Sequence, residues 1–358
     1  MNILHVVPKS LFDPKQKYSG STKDICGRIA YFESRNVDYE QIISADRSDV
    51  TLLPELQKRE LGLYSALFLE YTLYPKSLAY VRRVAPTLKV ISRSINAELY
   101  HRLHLAVSIL RHRGWHFARM ALSPVIESLS RLKSDWVSGR LSDYILPITT
   151  WEQKNYWAYL THPAKIRTLP YFLPSVYANE TPFNMSDKTN TCVCLLSNSE
   201  IPSSFMADVS RNFVRLAKQI GTQGADWQFI ITGKTDIHPD SLPANIKLTD
   251  LLPTPFEVLK TAKAVAVLTN YGFGFKTKIL EAIVAGCYVL VPPELFNRLP
   301  KEIRPFCKIV PLHSPTAFVQ ALHDCQMSWP SLEANSALRQ QAFKVLDSIL
   351  TTPLPKPG

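Results

Sequence analysis

The chain has 358 residues, 46% of them hydrophobic and 20% charged, with formal net charge +11. At ~100–200 residues per domain this length predicts two domains, and the composition excludes a disordered chain, a coiled coil and a disulfide miniprotein. Only 12 Gly against 26 Pro excludes collagen-like and Gly-rich low-complexity segments.

The first half reads as strand and helix in alternation. Ile3–Val7 is an apolar strand, followed by a loop from Pro8 to Ser21 that ends in Ser19-Gly20-Ser21-Thr22. Ser21 or Thr22 is expected to cap a helix running through Ile25, Ile29 and Phe32. Tyr39–Ile43, Ala66–Leu69 and Lys89–Ser92 read as short strands, with a helix over Leu78–Val84. Leu103, Val107, Leu110, Phe117, Met120 and Leu122 recur at helical spacing in a long region from Leu99 to about Gly139. Pro124 is expected to break or kink it. Asp143–Pro147 and Lys165–Leu169 return to strand. Pro170, Pro174 and Pro182 then punctuate a polar stretch without periodicity, read as a linker over 171–190.

The second half restarts the alternation. Strands are expected at Thr191–Leu196, Trp227–Thr232, Ile246–Leu248, Ala264–Leu268, Tyr288–Val291 and Ile309–Pro311. Helices are expected at Phe205–Ile220, Phe256–Thr261, Thr277–Ala285, Thr316–Cys325 and Leu332–Leu350. Such a pattern implies parallel sheets covered by helices. The predicted class is α/β, with two Rossmann-like domains facing each other across a cleft. They cover residues 1–170 and 191–330, and the helix at about 331–350 packs back on the first. Ligands of such sheets bind at the carboxyl ends of the strands, where helix N-termini suit anions.

Charge is uneven. Residues 1–175 hold 24 basic and 15 acidic side chains, and residues 76–140 alone hold 12 and 3. No acid occurs from Leu99 to Ile126, a window holding Arg102, Arg111, Arg113, Arg119, His101, His104, His112 and His116. This is either a solvated helix face or a patch for phosphate, on nucleic acid or anionic lipid. No run approaches ~18 consecutive apolar residues, and Met1–Val7 lacks the charged start of a secretory signal. A cytoplasmic protein is expected, with its six scattered Cys reduced.

The densest chemical pattern is Asn270-Tyr-Gly-Phe-Gly-Phe-Lys-Thr-Lys-Ile-Leu-Glu-Ala-Ile-Val-Ala-Gly286. Gly272 and Gly274 permit close backbone approach. Lys276 and Lys278 lie at a helix start, where their charge opposes the helix dipole unless an anion is present. Glu281, one turn beyond Lys278, can accept hydrogen bonds from a ribose diol. Read on spacing alone, the string also suits a Gly turn feeding an amphipathic helix, with Glu281 paired to Lys278.

This string resembles the nucleotide-sugar motif of GT-B glycosyltransferases, above all the large retaining class called family four. That motif runs Gly-x-Gly-x-(Arg/Lys)-x-Lys-(Val/Ile)-Leu-Glu-Ala. Ser19-Gly20-Ser21, Phe229–Gly233 and Leu248–Pro253 resemble other landmarks in the same order. The resemblance implies transfer of a sugar from a UDP- or GDP-sugar to a glycan or lipid-linked acceptor, with retention and without a metal or other cofactor. It implies that Gly272, Gly274, Lys276, Thr277 and Lys278 hold the diphosphate, that Gly20 and Ser21 face it from the other lobe, and that Glu281 binds the ribose. Two positions depart from the family pattern: Phe273 stands where a second acid is common, and Ile95 replaces the His of an Arg-x-His-Asn-x-Glu segment at Arg93–Glu98. Glu98, His101 and His104 are the candidates for catalysis. Leu196-Ser-Asn-Ser-Glu200 stands where a basic pair is usual, with Arg211 and Arg215 as possible substitutes. The alternative is a non-catalytic homologue that binds a nucleotide sugar or supports a partner enzyme. The basic segment 99–122 is a candidate contact for an anionic membrane face, placing the protein on the inner face of the membrane. No nucleic-acid partner is expected, since no aromatic-studded RNA motif accompanies the charge.

Overall fold

The computed structural model describes all residues except 46, 114–117, 179–183, 197–202, 222–225, 234, 251, 253, 270–272, 326–332 and 353–358. The chain divides into two compact units, one drawn from Met1–Pro174, Tyr271–Phe275 and Leu338–Gly358, the other from Ser175–Asn270 and Lys276–Ala337.

The first unit is a five-stranded parallel sheet. In chain order it comprises β1 (Asn2–Pro8), α1 (Gly20–Ser34), β2 (Asp38–Ser44), α2 (Asp49–Gln57), β3 (Ala66–Leu69), α3 (Pro75–Val84), β4 (Lys89–Arg93), α4 (Glu98–Arg113), α5 (Ala118–Leu141), β5 (Tyr144–Leu146) and α6 (Thr150–Asn155). The strand order is β2-β1-β3-β4-β5. Leu4, Val6, Leu67, Leu69, Val81 and Val90 form its core with α2 and α3, the near-continuous apolar burial expected of a sheet covered on both faces.

Three local expectations are corrected. The cap of α1 is Ser19, whose Oγ accepts from the Thr22 amide at 3.2 Å, so Gly20 and Ser21 are the first helical residues rather than part of a loop. The long helical region is two helices, α4 and α5, packed side by side. Pro124 lies inside continuous α5 rather than ending it. The missing N–H forfeits a bond, a cost of about 3 kcal/mol or more in a helix interior that this packing must offset. Lys165–Leu169 is not a strand: it meets β5 through a single bridge, Ile145 to Ile166, because Pro163 starts a 3₁₀ turn that consumes Lys165. Arg111, His112, Arg113 and His116 lie outside the described side chains.

The second unit holds six parallel strands. Its elements are α7 (Ser175–Ala178), β6 (Thr189–Leu195), α8 (Ser203–Gly221), β7 (Gln228–Thr232), β8 (Ile246–Thr249), α9 (Phe256–Leu259), β9 (Ala262–Ala266), α10 (Thr277–Val284), β10 (Tyr288–Val291), α11 (Pro293–Phe296), β11 (Cys307–Ile309), α12 (Pro315–Asp324) and the start of α13 (Glu333–Thr351). The strand order is β11-β10-β9-β6-β7-β8. Phe213, Phe229 and Phe318 meet at centroid distances of 5.8–6.2 Å in its core.

Most of α13 belongs to the first unit. Lys89 Nζ donates to the carbonyls of Ile349, Leu350 and Thr352 at 2.7, 3.2 and 2.7 Å, meeting the helix C-terminus with a cation as its dipole favours. Tyr31 on α1 and Arg35 just past its end hold Asp347.

Candidate functional site

Each sheet has one place where strand order reverses, leaving a crevice at the carboxyl ends that helices do not cover. In the first unit it falls between β1 and β3, in the second between β6 and β9. The motif residues follow β9, and Gly20 and Ser21 open the helix that follows β1.

In the second unit, Lys276 occupies the N-cap position of α10 and makes no side-chain cap bond. Lys278 reaches the end of the neighbouring strand, its Nζ donating to the Leu195 carbonyl at 2.7 Å. Burial pushes the Lys276 ammonium down to about 7, with help from the charges of Lys278 and Arg298. Burial also lowers Lys278, against the attraction of Glu281. Arg298 was not read from the sequence. It lies past α11, and only the fold brings it near Lys276. Glu281 is buried on α10. Lys276 and Lys278 at one helix start repel each other and the dipole, with the Arg298 charge adding to the repulsion at Lys276, and an anion relieves both. Gly272 lies outside the described residues.

Gly274 has a different setting. It belongs to the first unit, where a Cβ on it would fall 1.7 Å from Asn96 Oδ1. Glycine here admits Asn96, which donates to Glu98 Oε1 at 3.0 Å. Phe273 stacks on Trp151 at 5.6 Å and meets Tyr100 and His104 at 5.7 and 5.5 Å. The position where a second acid is common is thus an aromatic ring among aromatic rings. Ile95 packs against the first unit's core.

Of the candidates for catalysis, Glu98 opens α4, 3.8 Å from Arg102. His101 and His104 follow on the same helix. Close to Glu98 is a group the sequence did not signal. Asp135 is fully buried on α5 and accepts hydrogen bonds from the Thr72 and Tyr156 hydroxyls, the latter at 2.5 Å. Burial pushes its carboxyl up to about 7, and the Glu98 charge adds to the rise.

Behind Gly20 and Ser21 runs a buried charge network. Asp24 accepts from Arg93 Nε and Nη2 at 3.0 and 2.9 Å and pairs with Arg28 at 2.9 Å. Arg28 continues to Glu70, which also meets His5 Nε2 at 2.5 Å. Burial alone would raise Asp24, but the two guanidiniums outweigh it and hold the carboxyl at about 2. The i,i+4 pair Asp24–Arg28 was visible in the sequence; its partners 42–69 residues away were not.

Arg211 and Arg215 are ordinary exposed members of α8: Arg211 pairs with Asp208 and Asp236, and Arg215 donates to Asn212. Residues 197–200 lie outside the described residues. Among the described residues no cluster of three His, Cys, Asp or Glu is placed to hold a metal ion. No described helix is long and apolar enough to cross a membrane.

Comparison with family models and with curated proteins returned no sequence match. Solved structures do match. HepE of Anabaena, in complex with UDP, superposes with a TM-score of 0.55 at 9% identity, over 98% of this chain and 96% of that one. Sucrose-phosphate synthase of Thermosynechococcus elongatus gives 0.56 at 11%, over 98% and 95%. The lipopolysaccharide outer core galactosyltransferase WaaB, in its apo form, gives 0.55 at 11%, over 98% and 99%. With its two parallel-sheet units, of five and six strands, the chain has the GT-B fold of these glycosyltransferases.

Proposed function

We propose that the protein is a glycosyltransferase that moves a sugar from a UDP- or GDP-sugar to a glycan or lipid-linked acceptor. The observation that carries this reading is the pair Lys276 and Lys278 at the start of α10, beside the switch point of the second sheet, with Glu281 one turn further. A nucleoside diphosphate suits that arrangement: the cations and first-turn amides, with Thr277, take the phosphates, and Glu281 takes the ribose hydroxyls. UDP bound to HepE, a protein of the same fold, supports the choice of ligand class. The diphosphate roles of Gly20, Ser21, Gly272 and Gly274 rest on the resemblance alone. Retention and independence of metal also follow from the resemblance. In such a scheme developing charge on the leaving diphosphate is met by fixed cations and helix amides. Glu98, His101 and His104 are the candidates near the transferred sugar. The basic residues of α4 and α5 support a peripheral contact with an anionic membrane face.

Calorimetric titration with UDP and GDP tests the reading. One nucleotide is expected to bind, with Glu281→Ala and Glu281→Gln each weakening it at least tenfold. Absence of binding at millimolar nucleotide overturns it.

One observation favours a second reading, a nucleotide-sugar binder without transferase chemistry. Phe273 fills the position of the second acid and is packed among Trp151, Tyr100 and His104, and Ile95 replaces the His. A panel of UDP- and GDP-sugars separates the two. Hydrolysis or transfer supports the enzyme; binding with neither supports the binder.

A further inference from the structure

We infer that the outward face of α5 is a docking surface that lies flat on an anionic lipid bilayer. This rests on the membrane placement proposed above and is independent of the nucleotide chemistry.

The helix is amphipathic in the inverted sense. Its buried positions are small or polar: Ala121, Pro124, Ser128, Asp135, Ser138 and Gly139. Four of its large apolar side chains point outward along one stripe. Leu122, Ile126, Leu129 and Trp136 are 55%, 59%, 62% and 47% exposed. Their spacing of four, three and seven keeps them on one stripe, about 21 Å long at the α-helical rise. On α4, packed beside it, Val107 is also about half exposed. In water each such side chain forgoes its burial energy, and contiguous apolar surface of this kind marks an interaction site.

The charges choose the occupant. Arg119, Lys133 and Arg140 fall on the same stripe at the same three-and-four spacing, and all are exposed. The Arg140 guanidinium lies over the Trp136 ring at 4.7 Å. Glu127, the exposed acid of α5, is paired with Arg102 at 2.9 Å. A second copy of this helix would bring arginine and lysine against arginine and lysine, a repulsive match. Lipid phosphates take the cations while the acyl boundary takes the leucines, the isoleucine and the tryptophan. The basic segment noted in the sequence ended at 122; the structure carries the surface on to Arg140.

Flotation of the full chain with vesicles tests this. Vesicles of phosphatidylglycerol and phosphatidylcholine are expected to capture the wild type at least tenfold better than phosphatidylcholine alone. Ile126→Glu with Leu129→Glu, and separately Arg119→Glu with Lys133→Glu, are expected to lower capture at least tenfold. These side chains are exposed, so circular dichroism and UDP titration should match the wild type. Equal capture by both vesicle types overturns the inference, as does undiminished capture of either variant. So does a wild-type dimer in light scattering that Ile126→Glu with Leu129→Glu dissociates, since the stripe then belongs to a second copy. A chain that floats but binds neither UDP nor GDP sinks the transferase reading and leaves the bilayer contact standing.

Discussion

A buried carboxyl sets the pH response of the fold at the level of one residue. Asp135 sits at 1% exposure, and burial outweighs the Thr72 and Tyr156 hydroxyls to hold it at about 7. An unfolded Asp titrates near ~3.9. The folded chain therefore holds this proton more tightly, and the stabilisation is full below ~4 and lost as pH rises to about 7. The shift of about three units caps the loss at roughly 4 kcal/mol. Glu152, buried in a capping box with Thr149, is also pushed up to about 7 by burial and acts in the same sense. Asp24 and Glu70 act oppositely: burial resists, but Arg28 and its neighbours hold them low, so their contribution is kept above ~4 and lost in acid. The urea midpoint is expected to fall between pH 5 and pH 8, and Asp135→Asn should remove part of the fall while Glu152 keeps its share. A variant whose midpoint falls as steeply as the wild type's would show that Asp135 is not the group responsible.

Among the elements, α13 shows how a terminal helix is tied down. Lys89 is nearly buried and satisfies three carbonyls at its C-terminus, whereas Arg35 and Asp347 are 46% and 39% exposed. Lys89→Met strands those carbonyls and is expected to cost about 1–3 kcal/mol in urea unfolding. Arg35→Ala is expected to leave the midpoint unmoved, as exposed pairs usually do; equal losses in the two variants would contradict this assignment. The elements were legible in the sequence where a short range decides them. The strands at 3–7, 66–69, 228–232 and 288–291 announce themselves by apolar runs between turn residues. The start of α10 is marked by its glycines and lysines. Legibility failed where distant packing decides. Pro124 breaks or kinks a helix by local rule, yet α5 runs on through it, packed beside α4. The 150–155 helix rests on the Thr149–Glu152 box, which four residues of sequence do contain, but its apolar face is too short to show a period. The buried salt network and the place of Arg298 depend on partners that only the fold assembles. The outward apolar stripe of α5 is not legible as such, since periodicity tells which residues share a face but not which way that face turns.

Over the whole molecule the net charge of +11 is divided between two settings. Residues 1–175 carry most of the excess, while 176–358 hold 17 basic and 15 acidic side chains. The exposed cations of α5 act through water, where salt screens them over a Debye length of about 10 Å at 0.1 M. Lys276 and Lys278 are half-buried and are screened far less. Ionic strength and pH should therefore affect the two proposed contacts in opposite ways. Raising salt from about 0.05 to 0.5 M is expected to cut vesicle capture at least tenfold and to change UDP affinity less than about threefold. Raising pH from about 6.5 to 8.5 should do the reverse. A diphosphate favours the charged form of Lys276, whose ammonium titrates at about 7 without ligand. Below that pH the charge is already present. Above it, binding must take up a proton, so affinity falls, by up to about tenfold per pH unit. Arg119 and Arg140 stay charged throughout, and vesicle capture holds. Lys276→Met should bind UDP more weakly at pH 6.5 and lose the pH dependence; a variant whose affinity still falls with pH as in the wild type would place the titrating group elsewhere.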